Sequence, residues 1–113
     1  MLWPMSSIHF ICKEDDHLHR VTDDGDYDSG NWFVTAADAT ALIGGMLFLH
    51  RTKADRSYFG GKIKSARPIT NKAGSPCFVF RFTPSQEGRN ARWRGTNHTR
   101  AWTSGVIGDD NQA

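Results

Sequence analysis

Residues Gly30–Phe82 read GNWFVTAADATALIGGMLFLHRTKADRSYFGGKIKSARPITNKAGSPCFVFRF, and the order of apolar and polar segments in this stretch decides the fold. Trp32-Phe33-Val34 reads as a short buried strand. Thr35 follows as a helix N-cap, because its hydroxyl can accept from a backbone N–H of the first turn, and Asp38 completes a weak capping box. Ala36, Ala37, Ala39 and Ala41 are strong helix formers, and Leu42 and Ile43 supply an apolar edge. The pattern predicts a short helix over about residues 36–43, ended by Gly44-Gly45. Two turns do not persist alone in water, so this helix needs a sheet to pack on. Met46–Leu49 is apolar on both faces, as in a central strand.

The stretch continues with a basic connection from His50 to Ser57, then Tyr58 and Phe59. Gly60-Gly61 marks a bulge or a close backbone approach. Lys62–Arg67 alternates as a half-exposed strand limited by Pro68, and Asn71–Pro76 is a turn. In Cys77–Phe82, Phe78, Phe80 and Phe82 share one face, and that row is expected in the core.

Outside this stretch, Ile8–Cys12 has strand character, and Leu18–Thr22 is expected to fold back on it as a hairpin. Asp23–Gly30, DDGDYDSG, is a loop by composition. Its Asp24, Asp26 and Asp28 alternate as in a calcium loop, but the sixth and twelfth positions are Ser29 and Thr35, not the required Gly and Glu. The expected state is a solvated acidic loop without metal. Thr83–Gly95 reads as a long loop, and Thr96–Val106, with Trp102, as a closing strand.

A length of 113 residues specifies one domain. Such a chain buries roughly 65% of its unfolded surface, enough for one core. Two cysteines, Cys12 and Cys77, lie far apart in apolar surroundings. They are expected as buried free thiols in a reducing cytoplasm. The N-terminal MLWPMSSIHFIC lacks the basic start and apolar run of a secretory signal, and no run of about 18 apolar residues is present to span a membrane. The fold expected is α+β, a single small domain over residues 1–113. It is a mostly antiparallel twisted sheet or pseudo-barrel with one short helix, and its tail is mobile from about residue 107.

The formal net charge of +2 is unevenly spread: residues 1–49 hold two basic side chains against eight acidic, and residues 50–100 hold twelve against two. Such asymmetry points either to an anionic partner or to halves that neutralise each other within the fold or across a homo-oligomer.

The order strand, short helix, buried strand, basic loop, Gly-Gly strand and hairpin strand resembles the small β-barrels of the PUA-like superfamily, including its ASCH and EVE branches. The residues carrying the resemblance are Trp32-Phe33-Val34, the helix ending at Gly44-Gly45, Met46–His50, and Tyr58-Phe59-Gly60-Gly61-Lys62-Ile63. It covers about half the chain. The resemblance implies a pseudo-barrel with a cleft that reads RNA or a modified base. No catalytic motif of the enzymatic members is matched.

Function points to basic residues interleaved with aromatic ones. Arg89, Arg92, Trp93 and Arg94 are continued by His98, Arg100 and Trp102. Arginine neutralises phosphate and stacks on bases, and tryptophan offers a base-sized face. Lys53, Arg56, Ser57 and Tyr58 form a second set between two core strands, where backbone amides near Gly60-Gly61 could approach a phosphate, although a plain bulge is the stronger reading of the glycine pair. His17 and His19 share a strand face, but two ligands do not make a metal site. No nucleophile elbow surrounds Ser57 or Ser75, so no enzymatic reaction and no cofactor is assigned. Two readings stay open. One is a nucleic-acid-binding module for single-stranded RNA or DNA. The other is a small-molecule-binding or protein-interaction domain acting as a homo-oligomer.

Overall fold

The structure is a computed structural model that describes residues 6–12, 18–21, 25–52 and 54–93. The closing strand expected at Thr96–Val106 and the tail from about residue 107 lie outside the described residues.

Six strands form one mixed sheet: β1 (Ser7–Ile11), β2 (Leu18–Arg20), β3 (Tyr27–Trp32), β4 (Met46–His50), β5 (Phe59–Thr70) and β6 (Pro76–Pro84). Their spatial order is β1-β4-β5-β6-β3-β2. Only the β1–β4 pairing is parallel, with Ile8 opposite Leu47 and Phe10 opposite Leu49. The one α-helix among the described residues, α1 (Ala36–Leu42), connects β3 to β4. Thr35 caps it as expected, its Oγ1 accepting from the Asp38 N–H at 3.1 Å. Gly44, at φ +89°, turns the chain out of the helix, a conformation that a Cβ would strain.

The sheet is curled. Neighbouring strands lie about 4.8 Å apart, so β1 and β3, four positions apart in the order, would be roughly 19 Å apart if the sheet were flat. Yet the Phe10 and Trp32 rings stack at 4.0 Å between centroids and 9°, and Phe10 also meets Phe80 at 5.9 Å. The concave face therefore closes on itself around the core, while the sheet remains open, with β1 and β2 at its ends. The core is Ile8, Phe10, Cys12, Ala39, Leu42, Leu47, Leu49, Ile63, Phe80 and Phe82, with Phe78 packed against it. The phenylalanine row faces inward as its alternation predicts. Helix α1 contributes Ala39 and Leu42, whereas Ile43 is exposed.

Several local expectations are corrected. Leu18–Arg20 pairs with β3, not with β1, because β1 takes β4 as its partner. The second half of the expected acidic loop, from Tyr27 to Gly30, is strand, and this strand β3 ends at Trp32, leaving Phe33 63% exposed. Asp28 on β3 and Asp26 just before it tolerate burial because β5 and β6 supply their partners. Lys64 Nζ reaches Asp26 at 2.8 Å, and Arg67 and Arg81 both grip Asp28 at 2.9 Å. Strand β5 also runs through Pro68 to Thr70. Strand β4 pairs with Phe59–Lys62, so among the described residues one side of β5 has no strand partner beyond that point, where a missing proline N–H is tolerated. The register shift falls between Ile63 and Ser65, not at Gly60-Gly61. Cys12 and Cys77 are both buried and unbridged. No helix among the described residues is long and apolar enough to cross a membrane.

Candidate functional site

Ser57 joins the two chain segments that carry the basic and aromatic side chains. It lies between β4 and β5 and is 4% exposed. Its backbone N–H donates to the Ala91 carbonyl at 2.8 Å, and its own carbonyl accepts from the Asn90 N–H at 2.7 Å. Its hydroxyl donates to the Gly88 carbonyl at 2.8 Å and accepts from the Ala91 N–H at 2.9 Å. Both backbone groups and the side chain of one residue are thus engaged by residues 88–91. Ser57 acts as a clamp between the two segments.

The clamp forms because β6 does not run into a long free loop. It ends at Pro84 and passes into a single 3₁₀ turn, Gln86–Gly88. Gly88 lies on Gly60 so closely that a Cβ on it would overlap the Gly60 backbone. Arg56 adds a further tie, donating from Nη1 to the Asn90 carbonyl at 3.1 Å.

Residues distant in sequence thereby meet. Ala54, Asp55, Arg56, Arg92 and Trp93 line a cavity of about 430 Å³. Tyr58 and Arg89 line another, of about 340 Å³, with Leu18, Tyr27, Arg51 and Phe59. Of the residues singled out in the sequence, Arg56, Tyr58, Arg89, Arg92 and Trp93 are therefore brought together at one end of the sheet. Lys53, Arg94, His98 and Trp102 lie outside the described residues. The Gly60-Gly61 amides do not present a phosphate site, because both glycines are ladder residues, opposite Phe48 and Leu47 on β4, with Pro84 of β6 beside Gly61.

Trp93 rests on a feature that sequence reading missed. His9 on β1 and His50 on β4 are buried, and His9 Nδ1 lies 2.7 Å from His50 Nε2. His50 Nδ1 faces the Asp55 carbonyl at 2.9 Å. A carbonyl only accepts, so His50 Nδ1 carries the proton. In the neutral ring Nε2 is then the acceptor, and His9 Nδ1–H donates to it. Burial pushes the His50 pKa below 6.5, outweighing the opposite pull of the Asp55 carbonyl and charge. Trp93 sets its ring edge-on to His50 at 5.1 Å and tilted to His9 at 5.6 Å, while Phe48 stacks on His9 at 4.7 Å. The histidine pair orients the tryptophan and, through Asp55, one wall of the larger cavity.

Among the described residues, Asp26 and Asp28 of the acidic first half find their partners elsewhere on the sheet. The ion pairs of Asp26 and Asp28 are made with Lys64, Arg67 and Arg81. No group of three metal-ligating side chains occurs among the described residues. No protein-family model, no curated protein and no solved structure matches the chain.

Proposed function

We propose that the chain is a nucleic-acid-binding module, of the PUA-like kind its sequence resembles, that recognises single-stranded RNA or a modified base through the cavity bounded by Arg56, Arg92 and Trp93. The observation that carries this reading is the Ser57 clamp, which places guanidinium groups from two separate segments and a half-buried indole around one hollow. Guanidinium groups pair with phosphate oxygens, and an indole stacks on any base, so together they serve an irregular single strand. Trp93 is anchored by His9 and His50, so its position is set before a ligand arrives. That preorganisation lowers the entropic cost of binding. The intrachain pairing of Asp26 and Asp28 supports this reading over a homo-oligomer held by opposite charges. Buried, unbridged cysteines fit a cytoplasmic setting.

The test is a titration with short single-stranded RNA and DNA at two salt concentrations. Affinity falls steeply with added salt, because phosphate contacts release counterions. Trp93→Ala removes about 1–3 kcal/mol of stacking and leaves the salt slope unchanged. Arg92→Ala weakens binding and makes the slope shallower by roughly one contact. Thermal unfolding of each variant separates a lost contact from a lost fold. Absence of binding to either strand at low salt overturns the reading in favour of a small-molecule or protein-interaction domain.

A further inference from the structure

The cavity of about 430 Å³ beside Trp93 holds, besides its cations, a carboxylate that phosphate binding does not explain. Among the described residues that line it, Asp55 is the acidic one. The Asp55 backbone is fixed at both its polar groups. Its carbonyl accepts from His50 Nδ1–H at 2.9 Å, and its N–H donates to Thr52 Oγ1 at 3.2 Å. What Asp55 keeps for the cavity is therefore its side chain, and the residue is exposed. Among the described residues no ion pair joins that side chain to Arg56 or Arg92, and Arg56 Nη1 donates instead to the Asn90 carbonyl.

A carboxylate in a hollow that gathers guanidinium groups repels the phosphate those groups attract. It favours a ligand only when that ligand also brings N–H donors to it, because an ionised carboxylate accepts and never donates. Two acceptor oxygens on one carbon match two parallel N–H groups, the same fork that an arginine presents to a carboxylate. Among the RNA bases, guanine has that fork on its Watson–Crick edge, N1–H beside the 2-amino group. Adenine and cytosine each offer an amino group beside a ring nitrogen that only accepts. Uracil offers N3–H between two carbonyls. In those bases one carboxylate oxygen meets a lone pair. In a single strand these edges are unpaired and open to reading.

We propose that Asp55 is the specificity-determining residue of the cavity beside Trp93, and that it reads a guanine through N1–H and the 2-amino group while Arg56 and Arg92 hold the adjoining phosphates. The assignment rests on the strand-binding function proposed above and names the base that the site prefers. The bonds to His50 and Thr52 are made by the Asp55 backbone, so Asp55→Asn keeps them. It changes what the cavity presents, because a carboxamide sets a donor where one acceptor oxygen stood.

The experiment is a fluorescence-anisotropy titration of the full chain with short oligouridine strands that carry guanosine, inosine, adenosine, cytidine or uridine at the centre. The guanosine strand binds about tenfold more tightly than the adenosine, cytidine and uridine strands, the discrimination of one bidentate pair. Inosine keeps N1–H and lacks the 2-amino group, so its strand falls between. Asp55→Asn weakens the guanosine strand about tenfold and leaves the uridine strand bound at least as tightly as before, since a negative charge is gone from the hollow. An amide NMR spectrum of the variant shows that it keeps the fold. Equal affinity for all the strands, inosine bound as tightly as guanosine, or a guanosine preference that survives Asp55→Asn overturns the assignment and leaves the strand reading standing. Failure of every strand to bind at low salt overturns the strand reading, and the guanine assignment falls with it.

Discussion

Gly60 and Gly61 have backbone conformations open to other residues, for among the described residues the glycines at positive φ are Gly25, Gly44 and Gly74. Of the two sequence expectations for this pair, the bulge is corrected, because the register shift of β5 falls between Ile63 and Ser65, while the close approach holds. A Cβ on Gly60 would overlap the Leu47 carbonyl oxygen, and one on Gly61 the Thr83 carbonyl oxygen. These obstacles are backbone atoms and cannot rotate away. Gly60→Ala and Gly61→Ala each destabilise the fold by about 1–3 kcal/mol through overpacking, as read by denaturant unfolding. Unchanged stability in both would show that the strands have room to part. Ser57 is a second position where one atom matters. Ser57→Ala removes the Oγ that joins the Gly88 carbonyl to the Ala91 N–H. One buried and one part-buried backbone group then lose a partner, at a cost of about 1–3 kcal/mol. Hydrogen exchange at Ala91 checks the location of the damage, because exchange should quicken there before it does in β6. Uniform protection across the variant would mean that the loops are held by something other than this serine.

Elements defined by local chemistry are legible in the sequence, and those completed by distant partners are not. Helix α1 declares itself through Thr35, its alanines and Gly44, and the turn after β5 through Asn71, whose Oδ1 accepts from the Ala73 and Ser75 N–H groups. The inward row of β6 follows from simple alternation. Phe80 and Phe82 are fully buried, and Phe80→Ala removes a ring at the centre of the curl, costing about 3–5 kcal/mol in denaturant unfolding. A loss below about 1 kcal/mol would place that ring outside the core. Strand β3 was hidden because DDGDYDSG has the composition of a loop. What makes it a strand is Arg81 opposite Asp28 on β6 and Lys64 and Arg67 on β5, contacts that span 53 residues in the case of Arg81. Strand β5 was cut short at Pro68 because a proline stop is tolerated only where a neighbouring strand has ended, and sequence does not show where β4 ends. The site divides in the same way. Arg56, Tyr58, Arg89, Arg92 and Trp93 were legible as a basic and aromatic set, but the clamp that gathers them was not. His9 and His50 were missed outright, since a contact 41 residues apart arises only from the parallel pairing of β1 with β4. The one local hint was a histidine closing the apolar run Met46–His50.

At the scale of the molecule, the described residues hold two buried titratable sets with opposite surroundings, and these give stability a stepped dependence on pH. One is the His9–His50 pair under Trp93, and the other is Asp26 and Asp28, at the start of β3, held by β5 and β6. Burial keeps His50 below its ordinary value of 6.5, so its neutral form belongs to the fold. As pH falls below 6.5, the unfolded chain takes a proton that the folded chain declines, and stability is lost until the folded value is passed. One such proton contributes a slope of at most about 1.4 kcal/mol per pH unit. The carboxylates act at lower pH. Hydrogen bonds from Lys64 and Thr83 hold Asp26 below 3.8, while burial pushes Asp28 up but the hydrogen bonds and charges of Arg81 and Arg67 outweigh it. Both depressed values contribute stability that is present above 3.8 and is lost as pH falls through them. Denaturant unfolding across this range should therefore show a first decline beginning near 6.5 and a second below 3.8. His50→Asn keeps a side-chain N–H near the Asp55 carbonyl but has no titrating ring, so it flattens the first decline and leaves the second. Asp28→Asn removes the charge between Arg67 and Arg81, so it lowers stability at neutral pH and flattens part of the second decline. If His50→Asn reproduces the parent profile throughout, the histidine pair is not linked to folding, and Trp93 must be held in place by other contacts.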